Sequence, residues 1–365
     1  MTLNRNKLLY WLRLVMTWWA AIFLFGFIRH YGWPARTGFS PEYLIEPALD
    51  ASLALVVGTG YYFIEVLMHR RAFERLSFLK WAALKSLLQL VLAMLLFTAG
   101  LTLYPLFNET VQEDISLGVF LRSNLVHVLL LYFALVSLGI TLFQRMHQKV
   151  GPGIFGNMLL GKYHHPREEE RIFLFIDLKD STPLAEQLGH LRFSQLIQDC
   201  FADLTDTVML HRAEIYQYVG DEVILCWPTG RGLRYNNCVA AFFTYLDTLS
   251  ARSAYYEHTY GVQPIFKAAG HVGRTTVAEV GVIKRELAYH GDVLNTAARI
   301  QGLCNELGER LLISTGLADR LELSNAYLLR KYPDVQLTGK RESVSVLGVQ
   351  RLGVQAAKTA LGSAE

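Results

Sequence analysis

A bundle of membrane α-helices followed by one α+β domain of ferredoxin-like topology is the fold class this sequence predicts, and three observations predict it. The first is an uneven apolar load. The chain has 365 residues, 52% of them hydrophobic, and a mean hydropathy of +0.24. The long uncharged runs precede Gly151, whereas ordinary alternation of charge and core begins after Arg167. Such a surplus belongs in lipid. The second is a run of branched and aromatic residues, Arg171 to Asp177, that ends on a carboxylate. The third is a pair of alternating runs between Glu214 and Trp227, joined by Gly220-Asp221. The expected organisation is a membrane domain over 1–150, a connector over 151–170, a globular α+β domain over 171–353 and a flexible tail over 354–365.

Four segments approach the roughly 20 apolar residues a helix needs to span hydrocarbon: Leu8–Ile28, Ala51–Met68, Ser86–Leu103 and Asn124–Phe143. The first lacks a small-residue cleavage pattern and precedes further spans, so it is expected to be retained. Arg5 and Lys7, the cluster His69, Arg70, Arg71 and Arg75, and Arg145 with Lys149 flank one side, while Glu109, Glu113 and Asp114 fall on the other. Excess cationic charge marks the cytoplasmic side, which places both termini there and the protein in the inner or plasma membrane. Arg29, Arg36 and Arg122 run against this pattern. Arg13 and Glu65 lie near span ends, where snorkelling explains them. His127 lies deeper, and a hydrogen bond to a neighbouring helix explains it better than haem or quinone ligation.

Between Gln144 and Arg171 the Gly-Pro-Gly at 151–153 rules out one rigid helix. Transmission of bundle rearrangements and simple tethering both fit such a segment. The four cysteines, Cys200, Cys226, Cys238 and Cys304, have no C-x-x-C spacing, so buried reduced thiols are expected. A net charge of +3 is too weak to argue for a nucleic-acid partner.

In the second half, Arg171-Ile-Phe-Leu-Phe-Ile-Asp177 reads as a buried strand emptying into a site. Lys179, Asp180, Ser181 and Thr182 follow, then Pro183 and a helical stretch. Small polar residues at a helix start suit a phosphate, and equally an ordinary N-cap at Ser181 or Thr182. The runs around Gly220-Asp221 read as two strands and a turn. A Gly-Asp turn alone marks only a hairpin, but the order β-α-β-β-α-β brings the first strand's end and the hairpin tip to the same side of a ferredoxin-like unit. Asp177 and Asp221 then converge. Two carboxylates without Cys or His suit two Mg²⁺ or Mn²⁺ ions. A later block opens with a turn at Ala288-Tyr-His290-Gly-Asp and becomes an amphipathic helix through Leu307. Asn295 and Arg299, four apart, share one of its faces, as an exposed pair on any helix would.

Taken together, Phe-Ile-Asp177-Leu-Lys-Asp-Ser-Thr182, Val-Gly220-Asp221-Glu and His-Gly291-Asp-Val-Leu-Asn295-Thr-Ala-Ala-Arg299 resemble the class III adenylate and guanylate cyclase catalytic domain, over about Arg167 to Gly353. The resemblance implies an adenylate cyclase that converts ATP to 3′,5′-cyclic AMP and pyrophosphate. Asp177 and Asp221 would hold two metals, Asn295 orient the ribose and Arg299 stabilise the α-phosphate. Lys340 is loosely placed as a late phosphate contact. Family members complete each site across a head-to-tail dimer, so a chain carrying both halves implies a homodimer. Where the family often reads adenine with Lys and with Asp or Thr, this chain has Gln217 and Ala288. GTP therefore stays open as substrate, with His290 a further candidate base contact. The alternatives are a guanylate or other nucleotide cyclase and a non-catalytic nucleotide-binding membrane receptor.

Overall fold

The computed structural model describes residues 2–32, 47–68, 73, 77–107, 124–150, 154–323, 326–335 and 344–352. Contacts divide the chain into two compact units, Met1–Lys149 and Val150–Glu365. The tail expected over 354–365, the flanking charges Arg36, Arg70, Arg71, Arg75, Glu109, Glu113, Asp114 and Arg122, and the phosphate candidate Lys340 lie outside the described residues.

Unit one contains helices α1 (Thr2–Gly32), α2 (Pro47–Met68), α3 (Phe78–Phe107) and α4 (Asn124–Val150). Among the described residues, four helices are long and apolar enough to cross a membrane: Leu8–Ile28, Ala51–Met68, Leu79–Leu96 and Val126–Met146. Trp18, Ala21, Val57 and Tyr61 form the buried centre, with the Trp18 ring stacked on Phe133. At Gly58 an added Cβ would stand 2.7 Å from the Cα of Val15, so the missing side chain lets α1 and α2 approach closely.

Three sequence expectations need correction here. The third span begins seven residues before Ser86 because Lys85 is not a boundary residue. Its ammonium is buried and paired at 2.5 Å with Glu65 of α2, and it donates to the Gln144 side chain of α4 at 2.8 Å. Glu65, expected to snorkel, is instead buried at 4% exposure. Satisfying both charges inside the bundle removes the need for either to reach the headgroups. His127 is exposed on its helix rather than held between helices.

Unit two begins with α5 (Ile154–Leu159), then β1 (Arg167–Leu178), α6 (Ser181–Asp203), α7 (Thr205–Leu210), β2 (Glu214–Val219) and β3 (Glu222–Pro228). After α8 (Thr229–Leu233), α9 (Asn237–Ala251) and α10 (Ser253–Tyr260) come β4 (Phe266–Val280), β5 (Glu286–His290), α11 (Asp292–Glu306), β6 (Leu311–Ser314), α12 (Thr315–Ala318), β7 (Tyr327–Val335) and β8 (Val344–Arg351). The described strands form one sheet in the order β2-β3-β1-β4-β6-β8-β7, with β5 on β4. Its first four strands are antiparallel neighbours, the arrangement of the β-α-β-β-α-β unit.

The period-two pattern of β1 explains the layering. Ile172, Leu174, Ile176 and Leu178 face one core, packed with Leu196, Phe242 and Tyr245 from the helices. Phe173 and Phe175 face the other core, which includes Tyr289, Val293 and Ala297. Burial of each such side chain contributes about 1.5–3 kcal/mol. Residues expected to be mere connector belong to this second core. Tyr163 is 1% exposed, its carbonyl accepts from the Glu279 amide at 3.0 Å, and β1 already starts at Arg167. Arg171, buried in β1, is held by Glu214 at 2.6 Å and Glu169 at 2.8 Å. All four cysteines are free and buried, and burial pushes each thiol up to about 12.

Candidate active site

Alternation along β1 puts Asp177 on the same face as Phe173 and Phe175, the face that carries α11. Pairing sets Asp177 between Glu222 of β3 and Lys267 of β4. Asp221 occupies the β2–β3 turn, where Gly220 has φ +63°, a left-handed conformation that favours glycine. Asp177 is half-buried. Burial first, and then the negative charge of Asp221, raise its carboxyl above the ordinary range, while a hydrogen bond from Gln301 and the charge of Lys267 pull the other way. Glu222 is pushed up to about 7 by burial and by the charges of Asp177 and Asp221. Three carboxyls thus crowd one end of the sheet.

The Nε2 of Gln301 donates to Oδ2 of Asp177 at 2.7 Å, and Lys267 Nζ lies 3.4 Å from the same oxygen. Neither residue was singled out by sequence. Among the described residues, no three His, Cys, Asp or Glu side chains form a ready metal cluster. Asp177 and Asp221 offer only hard oxygen donors, a set that fits Mg²⁺ or Mn²⁺, with phosphate and water oxygens completing the shell.

Helix α6 begins after Asp180, not at a Ser181 or Thr182 cap. Asp180 is the N-cap residue, with φ +55°, and its side chain makes no capping hydrogen bond. The left-handed turn there lets the chain leave β1 and enter the helix at once. Lys179 and Asp180 border a cleft of about 320 Å³ with Lys267, Cys304, Asn305 and Arg310. Ser181 is half-buried and Thr182 exposed. Gln217 is exposed on β2 where its register with β3 shifts. Ala288 lies in β5 opposite Ala278, so the block expected to open as a turn is first a strand. His290 ends that strand, exposed, with its carbonyl accepting from Thr275 Oγ1 at 3.1 Å.

Asn295 and Arg299 lie on α11, the helix that also carries Gln301, but on another face. At 3.6 residues per turn they stand about 240° and 200° around the axis from Gln301. Ala297, Ile300 and Cys304 are buried against the sheet, whereas Asn295 is exposed and Arg299 half-exposed. The structure therefore gathers Asp177, Asp221 and Glu222, and turns Asn295 and Arg299 away from them. The carboxylates and the Asn295/Arg299 pair therefore lie on different surfaces of one chain.

No protein-family model matches the chain. It is 35% identical over 220 residues to "Adenylate cyclase 2" of Rhizobium meliloti (strain 1021), covering 60% of this chain and 61% of that protein. A more distant likeness, 23% over 180 residues, links it to "Adenylate cyclase" of Anabaena cylindrica, of which it covers 36%. The chain thus spans about three fifths of one curated relative and about a third of the other. Two structures of a bacterial light-regulated adenylyl cyclase superpose with TM-scores of 0.51 and 0.52, over 69% and 67% of this chain and 71% and 73% of theirs. At 17% identity, that superposition speaks for the fold alone. Sequence likeness and fold agree: the chain is similar to proteins named adenylate cyclase and shares its fold with a bacterial light-regulated adenylyl cyclase.

Proposed function

We propose that the protein is a membrane-anchored adenylate cyclase that converts ATP to 3′,5′-cyclic AMP and pyrophosphate in a homodimer. The observation that carries this reading is that the carboxylates and the Asn295/Arg299 pair lie on different surfaces. Carboxylates crowd one end of the sheet, while Asn295 and Arg299 face outward on α11 and serve a second copy turned head to tail. In each composite site Asp177 and Asp221 would hold two Mg²⁺ or Mn²⁺ ions, which when bound would polarise the attacking hydroxyl and offset charge on the leaving phosphates. Asn295 of the other copy orients the ribose so that its 3′-oxygen faces the α-phosphorus. Arg299 stabilises the charge that grows on the α-phosphate oxygens as the 3′-oxygen bond forms and the bond to pyrophosphate breaks. The start of α6, from Lys179 to Thr182, lies beside Asp177 and offers cationic and backbone N–H contacts to the triphosphate.

ATP is preferred because the 35%-identical relative bears the name adenylate cyclase. Gln217 and Ala288 keep a second reading, a guanylate cyclase, since a Gln amide can face either purine edge and the Ala side chain contacts neither. The four apolar helices anchor the protein in the inner or plasma membrane with both termini cytoplasmic. The test supplies the full chain in nanodiscs with ATP, GTP, CTP and UTP separately, with Mg²⁺ or Mn²⁺. Cyclic AMP as the main product is expected. Cyclic GMP would move the assignment to the second reading, and no cyclic product would leave a nucleotide-binding receptor.

A further inference from the structure

Gln301 is 8% exposed, on the side of α11 that meets β1, in a turn with Ile300 and Cys304, both buried. A buried amide needs a partner. Its Nε2 finds one 124 residues away, at Oδ2 of Asp177, 2.7 Å distant. Lys267 approaches that same oxygen. Both contacts on the Asp177 carboxylate thus converge on Oδ2, and neither engages Oδ1. A neutral donor suits this position, because it restrains the carboxylate without cancelling the charge that a divalent cation requires. A hydrogen bond that fixes the rotamer of a ligating carboxylate contributes to metal affinity although its donor never touches the metal.

We propose that Gln301 is a positioning residue that orients the Asp177 carboxylate for the divalent cations of the cyclase reaction. The inference rests on the cyclase reading and deepens it. It assigns the buried face of α11 a part in holding the metals, beside the part that Asn295 and Arg299 play from the outer face.

The test compares full-length protein with Gln301→Leu and Gln301→Asn. Leu removes the donor at similar volume. Asn keeps an amide but is one methylene too short to span the present hydrogen bond, so a folding failure in one variant leaves the other informative. Mn²⁺ binding is read directly, by electron paramagnetic resonance of the free ion, in the presence of an ATP analogue that cannot cyclise. Cyclic AMP formation is measured in parallel against Mn²⁺ concentration, and thermal melting reports the fold. The expected result is Mn²⁺ affinity weakened by about 10- to 100-fold in both folded variants, with the rate at saturating Mn²⁺ recovering to within a few-fold of the parent. A folded variant whose Mn²⁺ affinity stays within two-fold of the parent, or one that loses rate at every Mn²⁺ concentration with unchanged affinity, would overturn the inference and leave the cyclase reading standing. A parent protein that neither binds Mn²⁺ with the analogue nor forms a cyclic nucleotide would overturn both.

Discussion

Asp177 and Glu222 carry the clearest electrostatic signature of the candidate site, because both carboxyls are raised in the fold, Glu222 to about 7. A carboxyl whose folded value exceeds its unfolded value of about 4 adds stability while protonated. That contribution is complete below the unfolded value and is lost as pH rises toward the folded one. Between pH 4 and pH 7 the metal-free protein should therefore lose stability from this cluster. Cations bind the deprotonated form, so the increase in melting temperature caused by Mn²⁺ should be larger at pH 8 than at pH 6. Glu222→Gln should flatten that difference, and equal Mn²⁺ shifts at both pH values would refute the account. Removal of a proposed ligand should be more severe. Asp177→Ala or Asp221→Ala should lower the cyclisation rate by at least about 10²- to 10³-fold, since electrostatic stabilisation of the transition state is lost with the metal. A purified Asp221→Ala homodimer with parental activity would remove the metal role from that residue. These aspartates were legible in the sequence because each sits at a local landmark, a strand end and a Gly-Asp turn. Gln301 was not, because its partner lies 124 residues away and nothing in the pattern of α11 distinguishes it from any buried-edge glutamine.

Helices explain what the sequence showed only in part. Amphipathic periodicity made α11 visible, and the four-residue spacing placed Asn295 and Arg299 on one face. It could not show which face meets the sheet. In the bundle, a preference for uncharged runs cut the third span at Ser86, yet Lys85 and Gln89 stand four apart in α3, both buried, on a face turned inward. That spacing, opposite an acidic residue in α2, was the available signal. Removing one member of a buried pair strands the other charge, which costs about 3–5 kcal/mol, whereas replacing both with apolar residues is often neutral. Lys85→Met or Glu65→Leu alone should thus lower stability in detergent by about that amount, and the double substitution should recover most of it, as read by thermal melting. Gly58→Val tests the α1–α2 contact. The added side chain meets the Val15 backbone, and overpacking of this kind costs about 1–3 kcal/mol. An unchanged melting temperature would mean that the two helices part without penalty.

For the molecule as a whole, hydropathy alone separated the two units, and the order of strands and turns gave the ferredoxin-like core. The strands β6 to β8, which extend the sheet beyond that unit, left no distinctive motif. Under the proposed composite site, activity is a property of the pair. Specific activity of detergent-purified protein should fall on dilution as dimers dissociate. Co-expressed Asp177→Ala and Arg299→Ala chains should regain about a quarter of the parental rate, because half of random pairs are mixed and each mixed pair keeps one intact site. Failure to complement would place the whole site within one chain. The Glu65–Lys85 pair also bears on biogenesis. A lysine costs up to about 2.5–3.5 kcal/mol to insert, the full amount applying at the helix centre, so α3 with Lys85 inside it is a reluctant passenger when it enters the bilayer alone. The segment that neutralises it is the one synthesised just before it. The two should therefore leave the translocation machinery together as a hairpin, and a chain interrupted between them would fail at insertion, before folding begins.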